Sequence, residues 1–180
     1  MKPAYLLLIP LMLSLSSCIP VQKMDWNSSA EIAQAITVEH DEFEKITTYK
    51  GPQYEVNPDE SFPALRTFLF LRAWKPDSLP VVTYQIYVRA CYRSGDWRFY
   101  EQAYDSDGKR LDTTVIDRDV VDCSGYRCYY AEHVGININR EYLENHANTG
   151  IRFKLAGRAG DEVFIVPPTY IMAFLHVTGT

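Results

Sequence analysis

Four short clusters carry the side chains that could do chemistry. Glu132-His133, with Asp119 upstream, supplies the carboxylates and imidazole that general acid–base catalysis uses. Glu39-His40-Asp41-Glu42-Phe43-Glu44 offers a divalent cation four donors, Glu39, His40, Asp41 and Glu44. Asp105-Ser106-Asp107-Gly108 has the alternating carboxylates of a calcium loop. Cys123 and Cys128, five positions apart, could form a disulfide or a redox pair.

Each cluster lacks a part that its chemistry needs. Adjacent strand residues point to opposite faces, so Glu132 cannot orient the His133 ring. Arg118 is expected across from His133, and a cation there disfavours a protonated imidazole. Asp119 is then expected across from Glu132, where the two could share a proton or hold a cation. Like charges directly opposite destabilise a sheet, so a bulge or an early end to the pairing is expected there. The acidic stretch has no second histidine at helical spacing. Lys109 and Arg110 follow Gly108 where a calcium loop needs further oxygen ligands, so Asp107-Gly108 reads as a hairpin turn. The C-x4-C spacing is not that of a thioredoxin-like or zinc site, and Ser124-Gly125 reads as a turn that sets Cys123 opposite Cys128 for a disulfide. Cys91 is left as a buried thiol, with pairing to Cys123 or Cys128 as the alternative. His146 and His176 read as structural or solvated. There is no nucleophile elbow, phosphate-binding loop or dinucleotide fingerprint. No catalytic residue, metal site or cofactor is assigned.

The elements that would position these groups are mostly strands. Ile46–Lys50 ends at Gly51-Pro52, and Leu65–Trp74 is apolar on both faces through Phe68-Leu69-Phe70-Leu71, as in a central strand. Val81–Tyr92 and Trp97–Asp105 are expected as a hairpin around residues 93–96. In that register Ile86, Val88, Ala90 and Tyr92 form the core face. The other face brings Tyr87, Arg89, Tyr100 and Tyr104 together as a candidate binding surface, since Tyr and Arg are enriched at binding hot spots. The alternative is that a helix or second sheet covers those tyrosines. Trp97–Asp105 then pairs with Arg110–Ile116, and Asp117–Asp122 with Tyr129–Ile138. Ser29 could cap a short helix over Ala30–Ile36, and Asn139 another from Arg140 to about Asn148 with Gly150 as its stop. Gly150–Ala156 and Asp161–Val166 form a last hairpin. Residues 167–177, opening on two prolines and apolar nearly all round, are expected as a helix docked onto the core. The fold class is mainly β (α+β): an antiparallel meander sheet or a two-sheet sandwich with two or three short helices.

The 180 residues carry a net charge of −5, and no cluster of Lys or Arg offsets it. Nucleic acid and anionic headgroups are not attracted to such a surface. A single β-rich domain, residues 31–180, is expected.

The first residues add a location. Lys2 leads into an apolar run, Ala4–Leu15, and Leu15-Ser16-Ser17-Cys18 follows. The run is shorter than the roughly 18 to 20 residues of a membrane span, and reads as a secretory signal. Its end resembles the lipobox of bacterial lipoproteins. The resemblance implies removal of residues 1–17, a diacylglyceryl group on the Cys18 sulfur and an acyl chain such as palmitate on its amine. Residues 18–30 then form the lipidated cysteine and tether. Ile19, where Asp would signal inner-membrane retention, resembles an outer-membrane destination facing the periplasm, or the outer face of the cell membrane in a Gram-positive source. The leading functional expectation is a non-enzymatic lipoprotein that binds or helps assemble another envelope protein. A small-ligand or metal-binding β-sandwich is the alternative, and an anchored hydrolase using Asp119, Glu132 or His133 the third.

Overall fold

The structure, a computed structural model, describes residues 24–57, 65–124 and 127–179. Cys18, the signal segment and the Gly125 turn lie outside the described residues. The described residues are mainly β, with ten strands in one antiparallel sheet and three short helices. In order these are α1 (Ser29–Ala35), β1 (Thr37–Asp41), β2 (Ile46–Lys50), β3 (Tyr54–Asn57), β4 (Thr67–Pro76), β5 (Thr83–Ser94), β6 (Gln102–Asp105), β7 (Arg110–Ser124), β8 (Arg127–Ile138), α2 (Arg140–Asn145), β9 (Ile151–Gly157), β10 (Gly160–Val166) and α3 (Pro168–Thr178). The sheet runs β1-β2-β4-β5-β8-β7-β6-β9-β10, and β3 also pairs with β4. β7 joins the two halves of the sheet. Its Arg110 and Leu111 pair with β6, and from Asp112 onward it pairs with β8.

Period-two alternation sets the inner face. Leu69, Leu71 and Ala73 of β4, Ile86, Val88 and Ala90 of β5, and Val134 and Ile136 of β8 are buried together with Phe153, Leu155 and Phe164 from β9 and β10. Helix α3 adds Tyr170, Ile171, Ala173 and Phe174 to the same core. Eleven residues make a marginal helix alone, so packing supplies its stability, at about 1.5–3 kcal/mol for each large apolar side chain buried. Tyr170 also ties the helix to the strands. Its hydroxyl donates to the Pro52 carbonyl (2.7 Å) and accepts from the Leu71 amide (3.1 Å). The ring lies where a side chain at residue 51 would stand, so that position is a glycine.

Local signals place several ends where expected. Asn139 caps α2 through the Tyr142 amide, but the helix ends at Asn145, short of the expected Asn148, and Gly150, with a left-handed φ of 78°, closes the turn that follows by donating its amide to His146 O. Ser28, not Ser29, caps α1, and Met24 and Trp26 in the segment before it pack against the core. Thr169 donates its hydroxyl to the Trp26 carbonyl (2.6 Å).

The expected hairpin between Val81–Tyr92 and Trp97–Asp105 does not form. β5 instead pairs with β4 and β8, so Ala90 lies opposite Glu132 rather than Phe99. Residues 97–101 cross the inner face, with Phe99 at φ 56°, and β6 begins only at Gln102 beside β7 and β9. Contacts from β8 and β9 hold the crossing. The Glu132 carboxylate accepts the Phe99 and Tyr100 amides (2.9 Å each), and the Arg98 carbonyl fills the space where Gly157 lacks a side chain.

The Arg118–His133 and Asp119–Glu132 pairings are replaced as well. The register of β7 against β8 shifts between Val115 and Asp117 and again between Val120 and Asp122. These bulges set Arg118 opposite Glu132 and Asp117 opposite His133. The like-charge clash is relieved, and a cation stands where a second carboxylate was expected.

Candidate functional site on the outer sheet face

The outer positions of β4, β5, β8 and β7 form two rows whose order follows from the strand register. The first contains Arg72, Gln85, Asn137 and Asp112. Arg72 donates Nε to Gln85 Oε1 (2.8 Å), Gln85 Nε2 donates to Asn137 Oδ1 (2.6 Å), and Asn137 Nδ2 donates to Asp112 Oδ2 (2.7 Å). The row is a directed chain of hydrogen bonds from a guanidinium to a carboxylate across four strands. Gly135 leaves room for it, since any side chain there would collide with Gln85. Such a chain holds four side chains in one arrangement before any ligand arrives.

The second row contains Phe68, Arg89, His133 and Asp117. Between the rows, Tyr87 stacks on Phe70 at 4.5 Å, and Arg72 lies over both the Trp74 ring (4.8 Å) and the Tyr87 ring (4.9 Å). Lys50 stands over Phe70 (5.2 Å). Phe68, Arg72, Trp74, Tyr87, Arg89 and His133 are all half-buried.

Tyr87, His133 and Asp119 form a third arrangement. The Tyr87 hydroxyl bonds to His133 Nδ1, and Nε2 lies 3.2 Å from Asp119 Oδ2 but outside hydrogen-bond geometry. Phenol, imidazole and carboxylate stand in relay order. Burial drives the imidazole below its ordinary value, with Arg89 adding to the effect, and burial raises the Tyr87 phenol. Neither shift activates a nucleophile near neutral pH. A groove of about 540 Å³ lies elsewhere, on the other half of the sheet, bounded by Tyr104, Asp105, Arg152 and Lys154.

The four tyrosine and arginine positions read from the sequence do not share one surface. Tyr87 and Arg89 are neighbours on the outer face of β5. Tyr100 is fully buried on the inner side, 5.9 Å from Tyr92. There its hydroxyl meets Arg98 (2.7 Å) and Glu162 (3.2 Å), and burial raises both the phenol and the Glu162 carboxyl. Tyr104 lies on β6 beside Arg110 and Lys154. Arg72, Gln85, Asn137 and Asp112 were not singled out in the sequence. The alternation of Arg72 and Trp74 with Leu71 and Ala73 was the available signal.

The other clusters serve local structure. Glu132 is fully buried and accepts from the Tyr92 hydroxyl, the Phe99 and Tyr100 amides, and Arg118 Nε (3.2 Å). Asp41 accepts the Phe43 and Glu44 amides, and His40 meets Asp77 across 3.1 Å. Asp105 accepts the Asp107 and Lys109 amides, closing the turn at Gly108. Cys123 and Cys128 are joined as a disulfide, Cα atoms 4.1 Å apart. Cys91 is a half-buried thiol whose pKa burial raises.

The chain matches no protein-family model, no curated protein and no solved structure.

Proposed function

We propose that this is an outer-membrane lipoprotein, held by acyl chains on Cys18 and facing the periplasm, that docks another envelope protein rather than catalysing a reaction. The docking surface is the outer face of β4, β5, β8 and β7, centred on Tyr87 and Arg89. The observation that carries this reading is the Arg72–Asp112 row of hydrogen bonds beside half-buried aromatic and guanidinium groups on the same face. Order held in place before contact lowers the entropy cost of binding. Stacked rings with cations over them leave little open ring face for a sugar, which favours a protein partner. The finer fold reading is a two-sheet sandwich folded at β7, with α3 as the apolar C-terminal helix.

In-cell crosslinking of the lipidated protein, followed by mass spectrometry, tests the surface. Tyr87→Ala with Arg89→Ala should abolish capture of a partner while the Tyr104→Ala protein retains it. Equal capture by both proteins removes the assignment. Cys18→Ala should leave an uncleaved or soluble product.

A further inference from the structure

Across β2, β4, β5, β8 and β7 the outer face is divided by charge along a single seam, with Glu55 of β3 and Glu39 and Asp41 of the β1 edge lying outside that division. Lys50, Arg72 and Arg89 lie on the β2-β4-β5 side. On β7, beyond β8, Asp112, Asp117, Asp119 and Asp122 all stand opposite outward-facing β8 residues, because the two bulges bring them to one face. A uniformly acidic partner would meet the aspartates, and a uniformly basic one the guanidiniums. The face fits a partner carrying both signs in the reverse order.

We propose that this partner is a second copy of the same chain, packed face to face about a two-fold axis that runs along the seam between β5 and β8. The proposal rests on the docking reading and names its occupant. An axis parallel to the strands lays β5 over the copy's β8 and β4 over its β7, so each cationic half covers an acidic half. Arg72 and Asp112 end the same row, so each Arg72 arrives over the copy's Asp112. Both retain capacity for that contact. Arg72 spends Nε and one terminal nitrogen on Gln85, leaving guanidinium donors, and Asp112 gives one oxygen to Asn137. Sheets stacked face to face stand about 10 Å apart, within reach of two such side chains.

Sedimentation velocity of the full lipidated chain in density-matched detergent, across loading concentrations, tests this. The native chain should dimerise. Arg72→Glu alone and Asp112→Arg alone should each weaken the dimer about a hundredfold, since each turns two attractive contacts into repulsive ones. An equimolar mixture of the two variants should regain native affinity, because every contact between them again joins opposite charges. The chain carrying both exchanges is the second variant, and it keeps the row. With its two amides turned, the hydrogen bonds run in reverse, so this chain should fold and dimerise alone. A native chain that is monomeric throughout, or a dimer indifferent to both substitutions, overturns the proposal. If a monomeric native chain still captures another envelope protein through Tyr87 and Arg89, the second copy is excluded and the docking reading stands.

Discussion

Glu132 and Asn137 are five residues apart on β8 and point to opposite faces. Glu132 is closed off from water and ends four hydrogen bonds, two of them to the amides of a segment that has left the sheet. Asn137 is half-exposed, and it passes one hydrogen bond on between neighbouring strands. The same kinds of polar group therefore do different work. On the inner face they fix where the chain goes, because an unsatisfied buried carboxylate would be costly. On the outer face they fix how side chains stand, at less energetic risk, since water reaches the row at Asn137 and the exposed Asp112 although Gln85 is buried.

The sharpest way to break this contrast is Glu132→Ala. It leaves the Arg118 charge and two amides without their acceptor, and should lower stability by about 3–5 kcal/mol in urea unfolding. Asn137→Ala should cost only about 1 kcal/mol in the same measurement. Its main effect should be on binding, because the Arg72–Asp112 row is cut. If the two substitutions cost the same, the inner and outer networks do not differ as argued. The smallest expected effect depends on pH. The folded His133 imidazole titrates below its ordinary value, so the neutral form is favoured in the folded state. Its contribution is complete above the unfolded value and is lost as pH falls through the folded one. Between about pH 7 and pH 5 the native protein should therefore lose slightly more stability than His133→Gln. An identical pH profile for the two would remove His133 from the account.

Much of the local architecture was readable from the sequence. The Asp107-Gly108 and 157–160 turns, the Cys123–Cys128 disulfide and the Asn139 cap each depend on a few adjacent residues, and those residues are enough to specify them. The inward face of β5 was also readable, because alternation decides which side a residue faces. Alternation does not decide which strand lies alongside. Trp97–Glu101 alternates as well as a hairpin partner would, but β8 offers β5 a longer match, and Glu132 captures the displaced amides. That competition joins residues more than thirty positions apart, which no local pattern records. The left-handed turn at Phe99 then upsets the alternation that had placed Tyr100 on one face with Tyr87 and Arg89. The Asp119–Glu132 conflict did point to a bulge, and the structure has one on each side of that stretch of β7.

Those bulges bear on how β7 tolerates a change in length. Ile116 and Val121 are the residues its pairing skips. Elsewhere in the strand, losing one residue would turn every following side chain to the wrong side until a skipped position absorbed the slip. Deleting Ile116 or Val121 itself would leave the aspartates facing outward and Arg118 facing Glu132, on a straighter strand. In-frame shortening should therefore be tolerated best at these two positions.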